Sequence, residues 1–493
     1  MRILMLNPPF LKNFSRSQRS PAVTKSGTLY FPLWLASAAG VLQQAGFEVD
    51  LVDAPADGYD IGRVTERARN FAPDLLVVDT STPSIFNDID VAAGLKEQIP
   101  GLFVILVGTH VSALPGESLA INRAIDAVAR REYDFTLRDL ASVLKNGGNP
   151  GDVPGISYRN GDAIVHNPDR PLIDRLDDLP FVSKVYREFL NIRHYFNPNA
   201  LHPMVTIITS RGCAFHCSFC VYPQVLTGHR VRLRSIENVV DEILFIREAF
   251  PEARSVFFED DTLTVNKARC KELSERIIAQ NIRMSWTANA RADLDYDTMN
   301  VMKKSGCRML CVGFESGNQA ILDEIQKNIK VRQMKQFMRD ANRAGILVHG
   351  CFMAGLPGET SETLRETLRL AERLKPDTAQ FYPVMVYPGT RAYAWYQERG
   401  YLVTNDFSRW ITTRGLHNTV IRSEHLAPED LVRFCDRARR AFYLRPYYLL
   451  YSLKQVLLHP DRWGRTLKAA RTFLRYLLLG SDVDRDREKK CGC

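Results

Sequence analysis

The chain has 493 residues, 45% of them hydrophobic and 25% charged. These are ordinary globular values, which exclude a disordered, collagenous or small disulfide-framed protein and leave room for two to four domains. No apolar run approaches the ~18–20 residues needed to span a bilayer, and MRILMLNPPF is broken by Pro8 and Pro9 before it could act as a signal peptide, so a cytoplasmic protein is expected. The formal charge is +9, and residues 431–478 carry eleven Lys or Arg against two Asp or Glu, which calls for an anionic partner of that segment.

In chain order, apolar runs at Ile3–Leu6, Val49–Val52, Leu75–Val78 and Val104–Val107 alternate with helical patterns at Leu33–Gln44, Arg63–Phe71 and Asp88–Gln98. Short buried strands between helices predict a parallel, doubly wound sheet, a Rossmann-like or flavodoxin-like domain over residues 1–148. Ligands of such sheets sit beyond the carboxyl ends of the strands. Those ends carry Asn7-Pro8-Pro9, Asp53-Ala54-Pro55, Thr80-Ser81-Thr82-Pro83 and Gly108-Thr109-His110. Residues 149–200 read as a hairpin, turning at Asn160-Gly161, followed by a linker rich in Pro and Asp. Over residues 201–400 six further strands alternate with helices, from Val205–Ile208 to Thr378–Pro383. That is too few for an eight-fold barrel and suits a partial (β/α)6 barrel of the TIM type. Residues 401–493 are expected to be helical, ending in a frayed tail at Cys491-Gly492-Cys493.

Three of the ten cysteines, Cys213, Cys217 and Cys220, follow directly on the first strand of the second alternating region. In a reducing compartment a tight thiol cluster reads as a metal site, and soft thiolates select zinc or iron–sulfur. Three thiolates with no fourth cysteine at motif distance leave one iron of a [4Fe–4S] cluster open to a small molecule. A zinc knuckle completed by His216 or His229 is the competing reading. Gly212 allows close backbone approach, and Phe215 and Phe219 are placed to shield a cluster from water.

A CxxxCxxC loop after the first strand of a partial barrel, preceded by an alternating domain, resembles the radical S-adenosylmethionine (SAM) superfamily, in particular its members with a cobalamin-binding domain. Leu6-Asn7-Pro8-Pro9, Asp79–Pro83, Asn167–Pro171 and Leu176–Phe181 are further resembling stretches. Within this group the hopanoid-biosynthesis radical SAM proteins are the nearer likeness, and the anaerobic magnesium-protoporphyrin ester cyclases a more distant one. The resemblance implies that Cys213, Cys217 and Cys220 hold a [4Fe–4S] cluster whose free iron takes the amino and carboxylate groups of SAM. One electron, from a flavodoxin- or ferredoxin-type donor, then cleaves SAM to a 5′-deoxyadenosyl radical. It also implies a SAM site at the strand ends. Glu259, Asp260 and Asp261 stand where the family has Gly-Gly-Glu and would accept from the ammonium. Asn289 and Arg291 would meet the carboxylate, with Asp293 the alternative partner of Arg291. Glu315 and Ser316 would face the ribose, and Gly355 would pass backbone contacts to adenine or form a plain turn.

For cobalamin, the expected contacts are Asn7, Pro8, Thr80, Ser81, Thr82, Gly108, His110 and Ser112. The Asp-x-His stretch that supplies a lower cobalt ligand in many such domains is absent from this chain, and His110 is expected to contact the corrin or shape its loop. A domain that serves only as scaffold, without cobalamin, stands as the other reading. Two reactions fit: radical rearrangement or cyclisation, as the nearer likeness suggests, and methyl transfer to an unactivated carbon. A non-catalytic iron–sulfur redox sensor is a third reading.

Residues 447–479 read as two helices broken at His459-Pro460. In the second, Trp463, Leu467, Phe473, Leu474 and Leu477 fall on one side and Arg462, Arg465, Lys468, Arg471 and Arg475 on the other. This pattern suits a helix lying in a membrane interface. The expectation is a hydrophobic, lipid-like substrate, peripheral contact with the cytoplasmic membrane face, and no nucleic acid.

Overall fold

A computed structural model describes residues 1–451. Its first sheet has seven strands: β1 (Arg2–Asn7), β2 (Glu48–Asp53), β3 (Leu75–Thr80), β4 (Phe103–Gly108), β5 (Ala127–Ala129), β6 (Ile156–Asn160) and β7 (Ala163–His166), in the order β2-β1-β3-β4-β5-β6-β7. The first five are parallel, and their 2-1-3-4-5 order is flavodoxin-like, with the switch point between β1 and β3. The hairpin assigned to the linker from sequence belongs instead to this sheet, with β6 running antiparallel along β5. At three residues β5 is too short to leave a sequence signal.

Successive residues of these strands point to opposite faces. Leu4, Leu6, Leu76, Val78, Val104 and Leu106 form a separate core with the helix Ile85–Gln98. Ile3, Met5, Leu75, Val77, Ile105 and Val107 join a core that runs without a break into the second sheet.

The second sheet is wholly parallel. It contains β8 (Met204–Ile207), then, after a two-residue ribbon of β9 (Ser210–Arg211) and β10 (Arg232–Leu233), the strands β11 (Ser255–Phe258), β12 (Ser285–Ala290), β13 (Cys307–Glu315), β14 (Leu347–Ala354) and β15 (Thr378–Pro383). Six parallel strands alternating with helices make the partial barrel. Its helices begin where side chains satisfy orphan amides: Ser235, Asn266, Asp295 and Thr360 each accept from the backbone three residues on. The edge strand β15 is covered by the helix Pro428–Tyr443, whose Tyr443 hydroxyl accepts from the Ala379 amide and donates to its carbonyl. No helix among the described residues is long and apolar enough to cross a membrane. The amphipathic pattern after residue 451, with Cys491 and Cys493, lies outside the described residues.

The two sheets are joined at one buried ionic quartet. Arg211 and Arg232 are cross-strand partners in the ribbon, a pairing that alone would be repulsive. Glu132 and Asp134 of the first sheet's side neutralise it. Arg232 makes a two-pronged pair with Glu132 at 2.6 and 2.8 Å, and Arg211 binds Asp134 at 2.7 and 3.0 Å and stands 3.7 Å from Glu132. Ser37 bonds both Asp134 and Arg211. Burial would raise the Asp134 carboxyl, but Arg211 outweighs it and holds the group below its ordinary value. Its contribution is therefore present above about pH 4 and lost as pH falls further.

Removing one member leaves a buried uncompensated charge, which costs about 3–5 kcal/mol. Glu132→Ala is expected to lower stability by that amount in urea unfolding followed by circular dichroism; a loss under about 1 kcal/mol, the value of an exposed pair, would contradict a buried quartet.

Candidate functional site

The ribbon closes a loop that carries the three cysteines. Gly212 has φ +91°, and a Cβ there would collide with the Arg230 carbonyl. The loop is held through its backbone carbonyls and amides, and the Cys213 thiol makes one long contact, 3.9 Å, with the Thr262 hydroxyl. The Cys213 amide donates to Gly228 O, and the Gln224 side chain donates to the carbonyls of Cys217, Ser218 and Cys220 at 3.3, 3.1 and 2.8 Å. Gln224 accepts in turn from the Arg391 amide at 2.9 Å. After the last cysteine the chain forms a π-helical turn, Tyr222–Thr227.

Cys213, Cys217 and Cys220 are half-buried and reduced. Burial pushes the thiols of Cys213 and Cys220 up, and Asp261 and the neighbouring thiols add to this. Such sulfurs become thiolates only beside a strong cation. No group of three or more His, Cys, Asp or Glu converges on a single ion position among the described residues. His216 and His229 stack on each other with centroids 4.0 Å apart, and the His229 ring bonds the Cys213 carbonyl at 3.2 Å. Phe219 packs on the core. Phe215 lies under the Arg291 guanidinium, 3.5 Å from its ring centre.

The acidic run at the end of β11 divides by role. Asp260, 1% exposed, accepts from the Thr209 amide and hydroxyl and from Ser210. It ties the end of β8 to the end of β11 and has nothing left for a ligand. Glu259 pairs with Arg19 through Oε1 at 2.6 Å, while Oε2 is buried without a partner. Asp261 accepts from Thr227 through Oδ2 at 3.0 Å, while its buried Oδ1 makes no hydrogen bond and faces the Arg19 guanidinium. Arg19 also reaches Asp261 at 3.5 Å and the Asp260 carbonyl at 2.9 Å, and its guanidinium stands over the Tyr222 ring. Arg19 lies in a stretch without periodicity, 240 residues from its partner, and no sequence signal marks it.

Asn289 donates to the Asp260 carbonyl at 3.2 Å. Arg291 donates to Lys327 O and Asn328 O and pairs with Asp293 at 3.4 Å, so the ion pair weighed from sequence is formed. Glu315, in a left-handed conformation with φ +62°, pairs with buried Lys327 at 2.8 Å through Oε1, and its Oε2 is the third buried carboxylate oxygen without a hydrogen bond. The pair lies across Gly313, where any Cβ would strike it. Lys327 is close enough to Cys217 to feel its charge. Two predicted groups are already occupied. Ser316 bonds Thr367 and the Asn318 amide. The Gly355 amide donates to Glu359 and its carbonyl accepts from Tyr396, which makes Gly355 part of a structural turn.

At the first sheet all eight predicted cobalamin contacts sit at the carboxyl ends of β1, β3 and β4. Most are partnered within the protein. Asn7 bonds Asp53 and Arg16, and the Pro8 carbonyl accepts from Arg16. Thr80 donates to Val107 O, Ser81 bonds Ser84, and Ser112 links the Gly108 carbonyl to the Arg131 amide. His110, 2% exposed, bonds Thr82 and meets the Phe407 ring edge-on. Burial lowers its pKa to about 3, so the imidazole is neutral. Asp79, named from sequence only within the stretch Asp79–Pro83 and given no role there, lies next to the end of β3 on the face toward the barrel, with its carboxyl pushed up to about 7 by burial. Tyr133 Oη and Ser17 Oγ are also buried there without partners. Orphaned donors and a carboxyl that can be neutral fit an amide-fringed macrocycle, just as the three carboxylate oxygens without hydrogen bonds beside the cysteine loop fit an ammonium and hydroxyls.

Comparison with known proteins agrees with this division. Residues 207–371 match the Radical SAM superfamily and residues 19–141 the B12 binding domain. An uncharacterized methyltransferase of Pyrococcus horikoshii is 29% identical over 92% of this chain and 95% of its own length. The anaerobic magnesium-protoporphyrin IX monomethyl ester cyclase of Synechocystis is 26% identical over 94% and 89%. The structure of the radical SAM methyltransferase TsrM of Kitasatospora setae, with cobalamin and [4Fe–4S] cluster bound, superposes with a TM-score of 0.64 at 18% identity, covering 88% of this chain and 84% of TsrM. The chain belongs to the radical SAM superfamily and carries its B12-binding domain: it is a cobalamin-binding radical SAM enzyme whose cofactors are a [4Fe–4S] cluster, SAM and cobalamin.

Proposed function

We propose that the enzyme transfers a methyl group to an unactivated carbon of an uncharged, hydrophobic substrate. The observation that carries this reading is the facing of the cysteine loop, with its carboxylate oxygens that lack hydrogen bonds, toward the carboxyl edge of the cobalamin domain across the Arg211–Asp134 contact. Methyl transfer is favoured over cyclisation because the methyltransferase of P. horikoshii has the higher identity of the two near-full-length relatives.

When bound, the cluster and SAM supply a radical that takes a substrate hydrogen, and cobalamin supplies the methyl group. The protein's own part is positioning. Cys213, Cys217 and Cys220 would hold the cluster through their three thiolates, leaving one iron open to SAM. Glu259 Oε2 and Asp261 Oδ1 would accept from the amino group of SAM, with Arg19 aiming Glu259 and opposing the burial that pushes its carboxyl up. Glu315 Oε2, steadied by Lys327, accepts from a ribose hydroxyl. On the barrel side, Cys311, Cys351 and Tyr382 are half-buried and lie near Tyr30. Burial pushes Cys351 up to about 12 and Cys311, Tyr30 and Tyr382 well above their usual values. These side chains stay neutral, which supports an uncharged substrate. The electron comes from a flavodoxin- or ferredoxin-type donor.

Two outcomes test this reading. Anaerobic wild-type protein, reduced in the presence of SAM, is expected to release 5′-deoxyadenosine, and Cys217→Ser to lose both the iron–sulfur absorbance and that product. Once a substrate is found by metabolite screening, its product should be heavier by one CH2 unit; an unchanged mass would favour rearrangement. Glu259→Gln and Asp261→Asn should each weaken SAM binding about tenfold or more, the value of a charge-assisted hydrogen bond, with iron content unchanged in equilibrium dialysis. Unaltered SAM affinity in both would remove these carboxylates from the site.

A further inference from the structure

At the opposite end of the barrel from the cysteine loop, the helices Val331–Ala344 and Ser361–Leu374 meet the start of β15. A cleft there is lined by Lys335, Arg339, Arg373 and Lys375 together with Tyr447 and Tyr451. The four cations are exposed, and none makes an ion pair among the described residues. Lys375 stands 4.4 Å above the Tyr447 ring and Arg339 bonds the uncharged Gln336. The one carboxylate of the cleft, Asp377, is occupied by the Tyr451 hydroxyl and the Val348 amide.

Directly beside these cations lie Leu444, Tyr447, Leu449 and Leu450, between 48% and 68% exposed. They form the largest run of exposed apolar side chains close in sequence among the described residues. Cations held free of acidic partners, next to exposed leucines and a tyrosine, have the composition of an interfacial surface: aliphatic groups enter the acyl boundary, tyrosine sits at headgroup level, and Lys and Arg meet lipid phosphate. The sequence after residue 451 continues the same alternation of leucine and arginine.

We infer that this cleft and residues 444–450 form a docking surface for an anionic lipid bilayer, with the N-terminal mouth of the barrel toward the membrane. The inference does not depend on methyl transfer. A nucleic acid would satisfy the cations and find tyrosines beside them, but the exposed Leu444, Leu449 and Leu450 offer it nothing, whereas they suit the acyl boundary of a bilayer.

Flotation of full-length, cluster-loaded protein with vesicles tests it. Binding to phosphatidylcholine vesicles containing phosphatidylglycerol should exceed binding to pure phosphatidylcholine by at least about tenfold and fall as salt is raised. The combined Lys335→Glu, Arg339→Glu, Arg373→Glu and Lys375→Glu protein should drop to the phosphatidylcholine level with its iron content retained. Leu449→Ser with Leu450→Ser, two exposed positions that leave the fold intact, should lower binding several-fold. Equal recovery on both vesicle types, full binding by both variants, or release from vesicles by single-stranded RNA at equal phosphate concentration would each overturn the proposal.

Discussion

The constraint on which this molecule depends is the neutral quartet of Glu132, Asp134, Arg211 and Arg232. Two parallel sheets that share a core could meet in several orientations, because apolar contact is not directional. Buried charges are directional, since each must find its partner or pay the cost of desolvation. The quartet fixes the cobalamin domain against the ribbon that opens and closes the cysteine loop. The loop between Arg211 and Arg232 is thereby attached to the first domain at both ends, and its thiols are set by the same contact that aligns the two carboxyl edges.

From that alignment the chemistry of the site follows. Both sheets place ligand-facing groups at their strand ends, so the ends of β1, β3 and β4 look across the seam toward those of β11 to β13. Arg19 crosses from the first domain to Glu259, so the carboxylate that would meet SAM is oriented by the cobalamin side. Where the protein satisfies its own polar atoms, as at Asp260, Ser316 and Gly355, the residue builds the frame. Where buried oxygens are left without hydrogen bonds, as at Glu259, Asp261 and Glu315, the frame has room for a ligand.

Much of the architecture was legible in the chain itself. The helix Leu33–Gln44 has the bounds its periodicity predicts, and the helices ending at Phe71 and Gln98 begin only two and three residues before the expected Arg63 and Asp88, because apolar stripes and capping residues are local signals. The six barrel strands and the cysteine loop are local too. What was hidden is what depends on distant partners. The run Glu259-Asp260-Asp261 has three acids with no local feature to separate them, and only Thr209 and Ser210, some fifty residues away, show that Asp260 is structural. Gln224, Lys327, Arg19 and Asp79 act through partners supplied by folding. The three-residue β5 carries no period, which is why the hairpin after it read as linker.

The central claim is that three thiolates leave one iron for the amino and carboxylate groups of SAM. Electron–nuclear double resonance on the reduced protein with SAM labelled by 15N at its amino group and 17O at its carboxylate tests it directly. The account predicts hyperfine coupling from both labels to the cluster. Absence of coupling from either label, with a reduced cluster present, would contradict it.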